Sequence, residues 1–286
     1  MARAAARAVC LEMLRVQLEG KFWEIDPLGH EIAIVLDPDG AQPNHFGAAP
    51  ATSEPLSAGT FAGDTRIGGS CNCETLTVTP HCNGTHTECV GHVTDRRFGV
   101  DRIASGLVGV AALVSVTPEP ARDSNDEVGP HGDQQDLLIS KKILETAMQD
   151  IWQTGLTSLV LRSLPNVPGK RSAIYPPDQP CPYLSAGAAE LLVELGVRHL
   201  QVDLPSIDRL LDGGELLAHR IFWGLPPGSR ELGRASRKDA TITEMVFVPD
   251  AVPDGRYFLN LQLPRIASDA VPSRPVLHPL RAMTKR

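Results

Sequence analysis

A single mixed α/β domain is the architecture the sequence predicts, and three observations carry that expectation. The chain has 286 residues, 42% of them hydrophobic and 21% charged. That fills one large core but is short for two ordinary domains. The first half alternates strand-like runs with long Pro/Gly-rich loops. Between residues 144 and 203 the pattern changes to helix, strand, helix, strand, the order that builds parallel strands joined by right-handed crossovers.

Residues 1–13 are rich in Ala and Arg and lack the long apolar stretch of a secretory signal. They are read as an N-terminal extension, with the domain over 14–286. Val16-Gln17-Leu18-Glu19 and Ile32-Ala33-Ile34-Val35-Leu36 predict strands. Residues 37–70 are dense in Pro, Gly, Ala and Ser and keep no periodicity, so a long loop is expected. Residues 74–79 alternate Thr with Leu76 and Val78, predicting a half-buried strand that leads into His81. Residues 117–135 read as a polar surface excursion.

Leu144, Ala147, Met148 and Ile151 fall at helical spacing before Gly155. Leu159-Val160-Leu161 predicts a buried strand. Ser185 predicts an N-cap for a helix presenting Ala188, Leu191, Leu192 and Leu195 on one face. His199-Leu200-Gln201-Val202 predicts the next strand, with Asp203 at its carboxyl end, where ligands collect in such folds. Residues 226–240 predict an exposed loop, and strands return over 243–248 and 257–263.

The formal net charge of −7 offers no electrostatic footprint for nucleic acid or an anionic membrane. No apolar run is long enough to span a bilayer. Six cysteines without a secretion signal argue against a disulfide framework, so the cytosol is the expected compartment.

The chemistry is expected in Pro80-His81-Cys82-Asn83-Gly84-Thr85-His86-Thr87-Glu88-Cys89-Val90-Gly91-His92. Three imidazoles and a carboxylate in this window suit zinc, and also manganese or ferrous iron. His86 and Glu88 share a face only if the segment is extended. Gly84 and Gly91 allow bends that return His81 and His92 to the same point. Two plainer readings stand beside this one: scattered histidines on a surface loop, and a structural zinc on Cys71, Cys73, Cys82 and Cys89. Against the second, Cys71 and Cys73 have one residue between them where paired zinc cysteines usually have two.

These residues resemble a known family. Gly84-Thr85-His86-x-Glu88-x-x-x-His92 is similar to the HxGTHxDxPxH signature of kynurenine formamidases, isatin hydrolases and related cyclases. Gly63-Asp64-Thr65 resembles the family's PGD-type loop, and Asp203-Leu204-Pro205-Ser206-Ile207-Asp208 its D-x-P-S-x-D segment. His219 and Glu244 fall where the family has a late histidine and a late glutamate ligand. The likeness runs from about residue 16 to 263. Four departures stand out: Cys82 and Asn83 widen the gap after His81, Glu88 replaces the family aspartate, Val90 replaces its proline, and the 226–240 loop lengthens the separation of His219 from Glu244.

The resemblance implies a swivelling β/β/α-type single domain with a mixed sheet and long loops. It implies one or two ions of zinc or manganese, with His81, His86 and Glu88 at the first site and His219 and Glu244 completing a second. It implies His92 as general acid or base, and Asp64, Asp203 and Ser206 lining the pocket or supporting ligands. The implied reaction is hydrolysis of a formamide, cyclic amide or ester in a small molecule by a metal-activated water, in a homodimer or homotetramer. Alternatives are a polyketide-type cyclase or dehydratase on the same site, and an inactive metal- or ligand-binding member.

Overall fold

The dominant feature is one eleven-stranded mixed sheet whose central strand is apolar on both faces. The structure, a computed structural model, describes residues 14–18, 20–103, 107–129, 131–152, 155–176 and 178–283. The expected extension over 1–13 lies outside them. The labelled strands are β1 (Leu14–Leu18), β2 (Lys21–Ile25), β3 (His86–Glu88), β4 (Val108–Val116) and β5 (Ser158–Ser163). They continue as β6 (His199–Val202), β7 (Thr241–Glu244), β8 (Gly255–Gln262), β9 (Ala270–Pro272) and β10 (Arg274–Ala282). Their order is β1-β2-β10-β8-β4-β5-β6-β7-β3-β9, with His30–Glu31 pairing on β10.

β4, β5, β6 and β7 run parallel, as the alternation of helix and strand predicts. β4 alternates between two cores. Ala112, Val114 and Val116 face the helices, while Ala111 and Leu113 face Leu259, Leu261 and Leu277. A strand covered on both faces reads as a continuous apolar run, which is why Val108–Val116 lacks a two-residue period.

Helices α1 (Lys141–Met148), α2 (Ala186–Glu194) and α3 (Leu217–Trp223) cover one face of the sheet. Leu144, Met148, Ala188, Leu191, Leu192, Phe222 and Trp223 are all buried there, each large side chain contributing roughly 1.5–3 kcal/mol. Ser185 caps α2 as expected, its hydroxyl accepting from Ala188 N at 3.0 Å. No helix among the described residues is long and apolar enough to cross a membrane.

Several sequence expectations need correction. Only Ala33 of residues 32–36 pairs, as an isolated bridge to Val246; Thr85 Oγ1 takes Ile34 N instead. The 74–79 strand is Glu74–Thr77, exposed on both faces and paired with Thr52–Pro55. The strand expected over 243–248 is β7, ending at Glu244, because Met245 turns to φ 54°. Residues 37–70 contain several strand pieces.

Candidate metal centre

The site begins with a strand pair. β3 runs antiparallel to β7 with Glu244 opposite His86 and Ile242 opposite Glu88. Directly opposed residues share a face, and so do residues two apart on one strand. His86, Glu88 and Glu244 therefore project together into the fold, all buried. Thr87 points the other way, and its hydroxyl meets those of Thr243 and Ser273, both at 2.8 Å. This zipper of hydroxyls holds the register on which the site depends.

His219 arrives from α3. Asp208 caps that helix, accepting from Ala218 N at 2.7 Å and His219 N at 3.1 Å, and takes His219 Nδ1–H at 2.6 Å. A carboxylate only accepts, so the Nδ1 proton is placed and Nε2 faces the site. His219 Nε2 stands 2.8 Å from Glu88 Oε1 and 3.5 Å from Glu244 Oε1. His86 is set the same way, with Nδ1 donating to Gly84 O at 3.0 Å and Nε2 facing Glu244 Oε2 at 3.5 Å. Gly84 has φ 89°, a left-handed conformation that disfavours other residues.

His81 comes from the widened loop. Asn83 folds that loop into a turn, its side chain accepting from Thr79 N and donating to Ala49 O. His81 then reaches the cluster despite the extra residue: Nδ1 lies 2.9 Å from Glu88 Oε2 and Nε2 2.7 Å from Asp269 Oδ2. His92 follows in the 3-10 turn Val90–Val93. Gly91 is required there, since an added Cβ would meet Phe98 O at 1.9 Å. The His92 nitrogens lie 3.9 Å from Glu88 Oε2 and 3.7 Å from Asp269 Oδ2, beyond hydrogen-bond reach.

Two overlapping groups that could hold a metal ion result. The ligand atoms of His81, Glu88 and His92 lie within 4.8 Å of one another, and so do those of His86, Glu88 and Glu244. Burial opposes charge on Glu88, yet His92 and His219 hold its carboxyl well below the usual range. Burial likewise opposes charge on His219, but Glu88, Asp208 and Glu244 raise it well above an ordinary histidine. His81 is raised to about 10, its carboxylate partners Asp269 and Glu88 overriding the effect of burial. His86 Nε2 is fully buried without a hydrogen-bond partner, and Glu88 Oε2, equally buried, has only the His81 ion pair. A buried imidazole nitrogen without a partner, grouped with the carboxylates of Glu88 and Glu244, belongs to a donor set that a divalent cation fits.

A cavity of about 500 Å³ opens from the cluster, walled by Phe46, Ser206, Arg209, Leu210, Leu211 and Leu216 among others. His45 also lines it; burial lowers its pKa, keeping the ring neutral, and its buried Nδ1 has no partner. Of the other expected site residues, Ser206 is in the wall, whereas Asp64 and Asp203 are not. Asp64 binds Arg66 within the exposed 52–77 segment. Asp203 is buried against Lys170 Nζ at 2.8 Å and Ser163 N at 2.9 Å. Sequence reasoning missed Asp208 and Asp269. Asp208 closes the D-x-P-S-x-D segment and lies eleven residues before His219, a signal that was there to read. Asp269 has no motif around it.

Comparison with known proteins places these residues in context. A family model described as "Putative cyclase" matches residues 23–209. A kynurenine formamidase of Bacillus cereus is 31% identical over 214 residues, covering 74% of this chain and 82% of that one. The corresponding enzyme of Bacillus mycoides is also 31% identical, over the same shares. Among solved structures, isatin hydrolase A from Labrenzia aggregata aligns with a TM-score of 0.57 at 16% identity, over 88% of this chain and 93% of that one. A structure titled as a predicted metal-dependent hydrolase from Bacillus stearothermophilus aligns at 0.54 and 16% identity, over 88% and 98%. At such identities these two are likenesses of fold.

Proposed function

The chain belongs to the cyclase family, and on that premise we propose that it is a metal-dependent hydrolase of small amides. Its substrate would be a formamide, a cyclic amide or a related ester. His81, His86, Glu88, His219 and Glu244 would hold one or two ions of zinc or manganese. Such an ion supplies a Lewis acid that polarises a scissile carbonyl and activates water. The observation that carries the reading is His86 Nε2, fully buried without a hydrogen-bond partner and within ligand reach of the buried Glu88 and Glu244 carboxylates.

The remaining work falls to the chain itself. Glu88 is one methylene longer than the family aspartate and touches both halves of the cluster, Oε1 towards His219 and Oε2 towards His81. The replacement therefore keeps the reach that two adjacent sites require. His92 is the proton carrier. It is partly exposed to the cavity, and neither nitrogen is held by a hydrogen bond. It can take a proton from water and return it to the leaving nitrogen, the acid–base work for which an imidazole is suited. Phe46, Leu210, Leu211 and Leu216 give the cavity an apolar wall that excludes water from the rest of the substrate.

We also infer a homo-oligomer. The 52–77 segment exposes Leu56, Ile67 and Leu76, an apolar set that favours contact between copies. The decisive experiment measures metal content in wild type and His86→Ala, together with formamide and ester hydrolysis. Stoichiometric metal in wild type, lost with activity in the variant, is the expected result. Folded wild type that neither contains nor takes up metal would sink the proposal.

A further inference from the structure

We propose that Asp269 aims His81 at the metal, making His81 Nδ1 the ligating atom. This rests on the metal-dependent reading above. Each of the two deepest histidines has one nitrogen committed to an outer acceptor, His86 Nδ1 to Gly84 O and His219 Nδ1 to Asp208. That leaves the other nitrogen turned inward, the arrangement in which an outer hydrogen bond fixes the tautomer and orients the ring. His81 follows the same rule with its nitrogens exchanged. Nε2 meets Asp269 Oδ2 at 2.7 Å on the outer side, and Nδ1 faces the buried Glu88 Oε2 at 2.9 Å, so a cation taken up beside Glu88 would displace the Nδ1 proton and leave the one held by Asp269 on Nε2.

Asp269 is built to hold this post. It immediately precedes β9, which pairs with β3 so that Ala270 lies opposite Glu88. Its carbonyl accepts from Cys89 N at 3.0 Å, fixing its backbone to the end of the ligand strand. The bare Cα of Gly91 lets it sit close, since a Cβ there would come 3.1 Å from Asp269 Cβ. The only side chains within ion-pair distance of its carboxylate are His81 and His92, among the described residues. With Oδ2 engaged by His81 at 2.7 Å, His92 at 3.7 Å makes no hydrogen bond to it. One carboxylate thus anchors one histidine of the stacked pair and not the other. Asp269 lies beyond the residues matched by the family model, 23–209.

The test is zinc affinity of the full-length protein by chelator competition, for wild type, Asp269→Ala, Asp269→Asn and Asp269→Glu. Circular dichroism checks that each variant folds. Asp269→Ala is expected to weaken zinc binding by about 10–100-fold with stoichiometry unchanged. Asp269→Asn, which still accepts a hydrogen bond, should fall between, and Asp269→Glu should recover part of the loss. Nitrogen-15 imidazole spectra of the zinc-loaded protein add a readout that loose packing would not move. His81 should show a protonated Nε2 in wild type and lose that single form in Asp269→Ala. Unchanged affinity in Asp269→Ala would overturn the inference. So would loss of a whole zinc equivalent, which would make Asp269 a ligand. Wild type that binds no zinc at all defeats the metal-dependent reading itself, and the inference with it.

Discussion

His92 and Gly91 show how single side chains divide the labour of the site. His92 alone among the clustered histidines has no hydrogen bond to a fixed acceptor, which suits proton transfer better than ligation. His92→Asn is expected to retain its metal and lose about 10²–10⁴ of turnover; elemental analysis beside initial rates decides it. Retained turnover would remove His92 from the chemistry. Gly91 has the opposite character, since its contribution is the absence of a side chain. Gly91→Ala must move the 90–93 turn away from Phe98 O. Stability should drop by about 1–3 kcal/mol, with a fall in turnover because His92 moves too, both readable by denaturant titration and rates.

Asp203 and His199 belong to the strands rather than to the pocket. Asp203 joins the carboxyl ends of β5 and β6, accepting from Ser163 N and pairing with Lys170. Burial raises its pKa despite that cation. Lys170→Met leaves a buried carboxylate uncompensated, and breaking such a pair costs about 3–5 kcal/mol. Metal stoichiometry should match wild type, because Asp203 is outside the cluster; a variant short of metal would return Asp203 to the site. His199, on β6, gives a pH signature. Burial, aided by Arg198, lowers its pKa from 6.5 to about 4. The fold thus favours the neutral ring. That stability is fully present above pH 6.5 and is lost as pH falls towards 4, at up to about 1.4 kcal/mol per pH unit. His199→Asn should show a flatter stability profile than wild type over that interval in denaturant titrations. Parallel profiles would refute the assignment.

The proposed metal and the proposed assembly would each act on the protein as one body. Glu88, Glu244 and His219 are buried together, so an ion that binds only the folded state stabilises all of it by mass action. A hundredfold excess over the dissociation constant adds about 2.7 kcal/mol. Chelation should therefore lower the melting temperature reversibly, and His86→Ala should be insensitive to chelator. Light scattering should give a multiple of the chain mass, and Ile67→Asp with Leu76→Asp should shift it down. A wild-type monomer at high concentration would refute the oligomer.

The histidines and carboxylates of the cluster and their order along the chain were legible in the sequence, because they depend on residue identity alone; that His86 and Glu88 would share a face if extended follows from the two-residue period. So were the parallel order and the Ser185 cap, which follow from local pattern and turn chemistry. Other features were not. β4 reads as neither helix nor strand because both faces are buried and its period vanishes. The hairpin of Thr52–Pro55 with Glu74–Thr77 carries no core to mark it. Asp269 reaches His81 across 188 residues, through the pairing of β9 with β3, and no local pattern encodes that contact. Tertiary pairing alone decided which carboxylates face which imidazoles, because strand register places side chains that are far apart in the chain on one shared face.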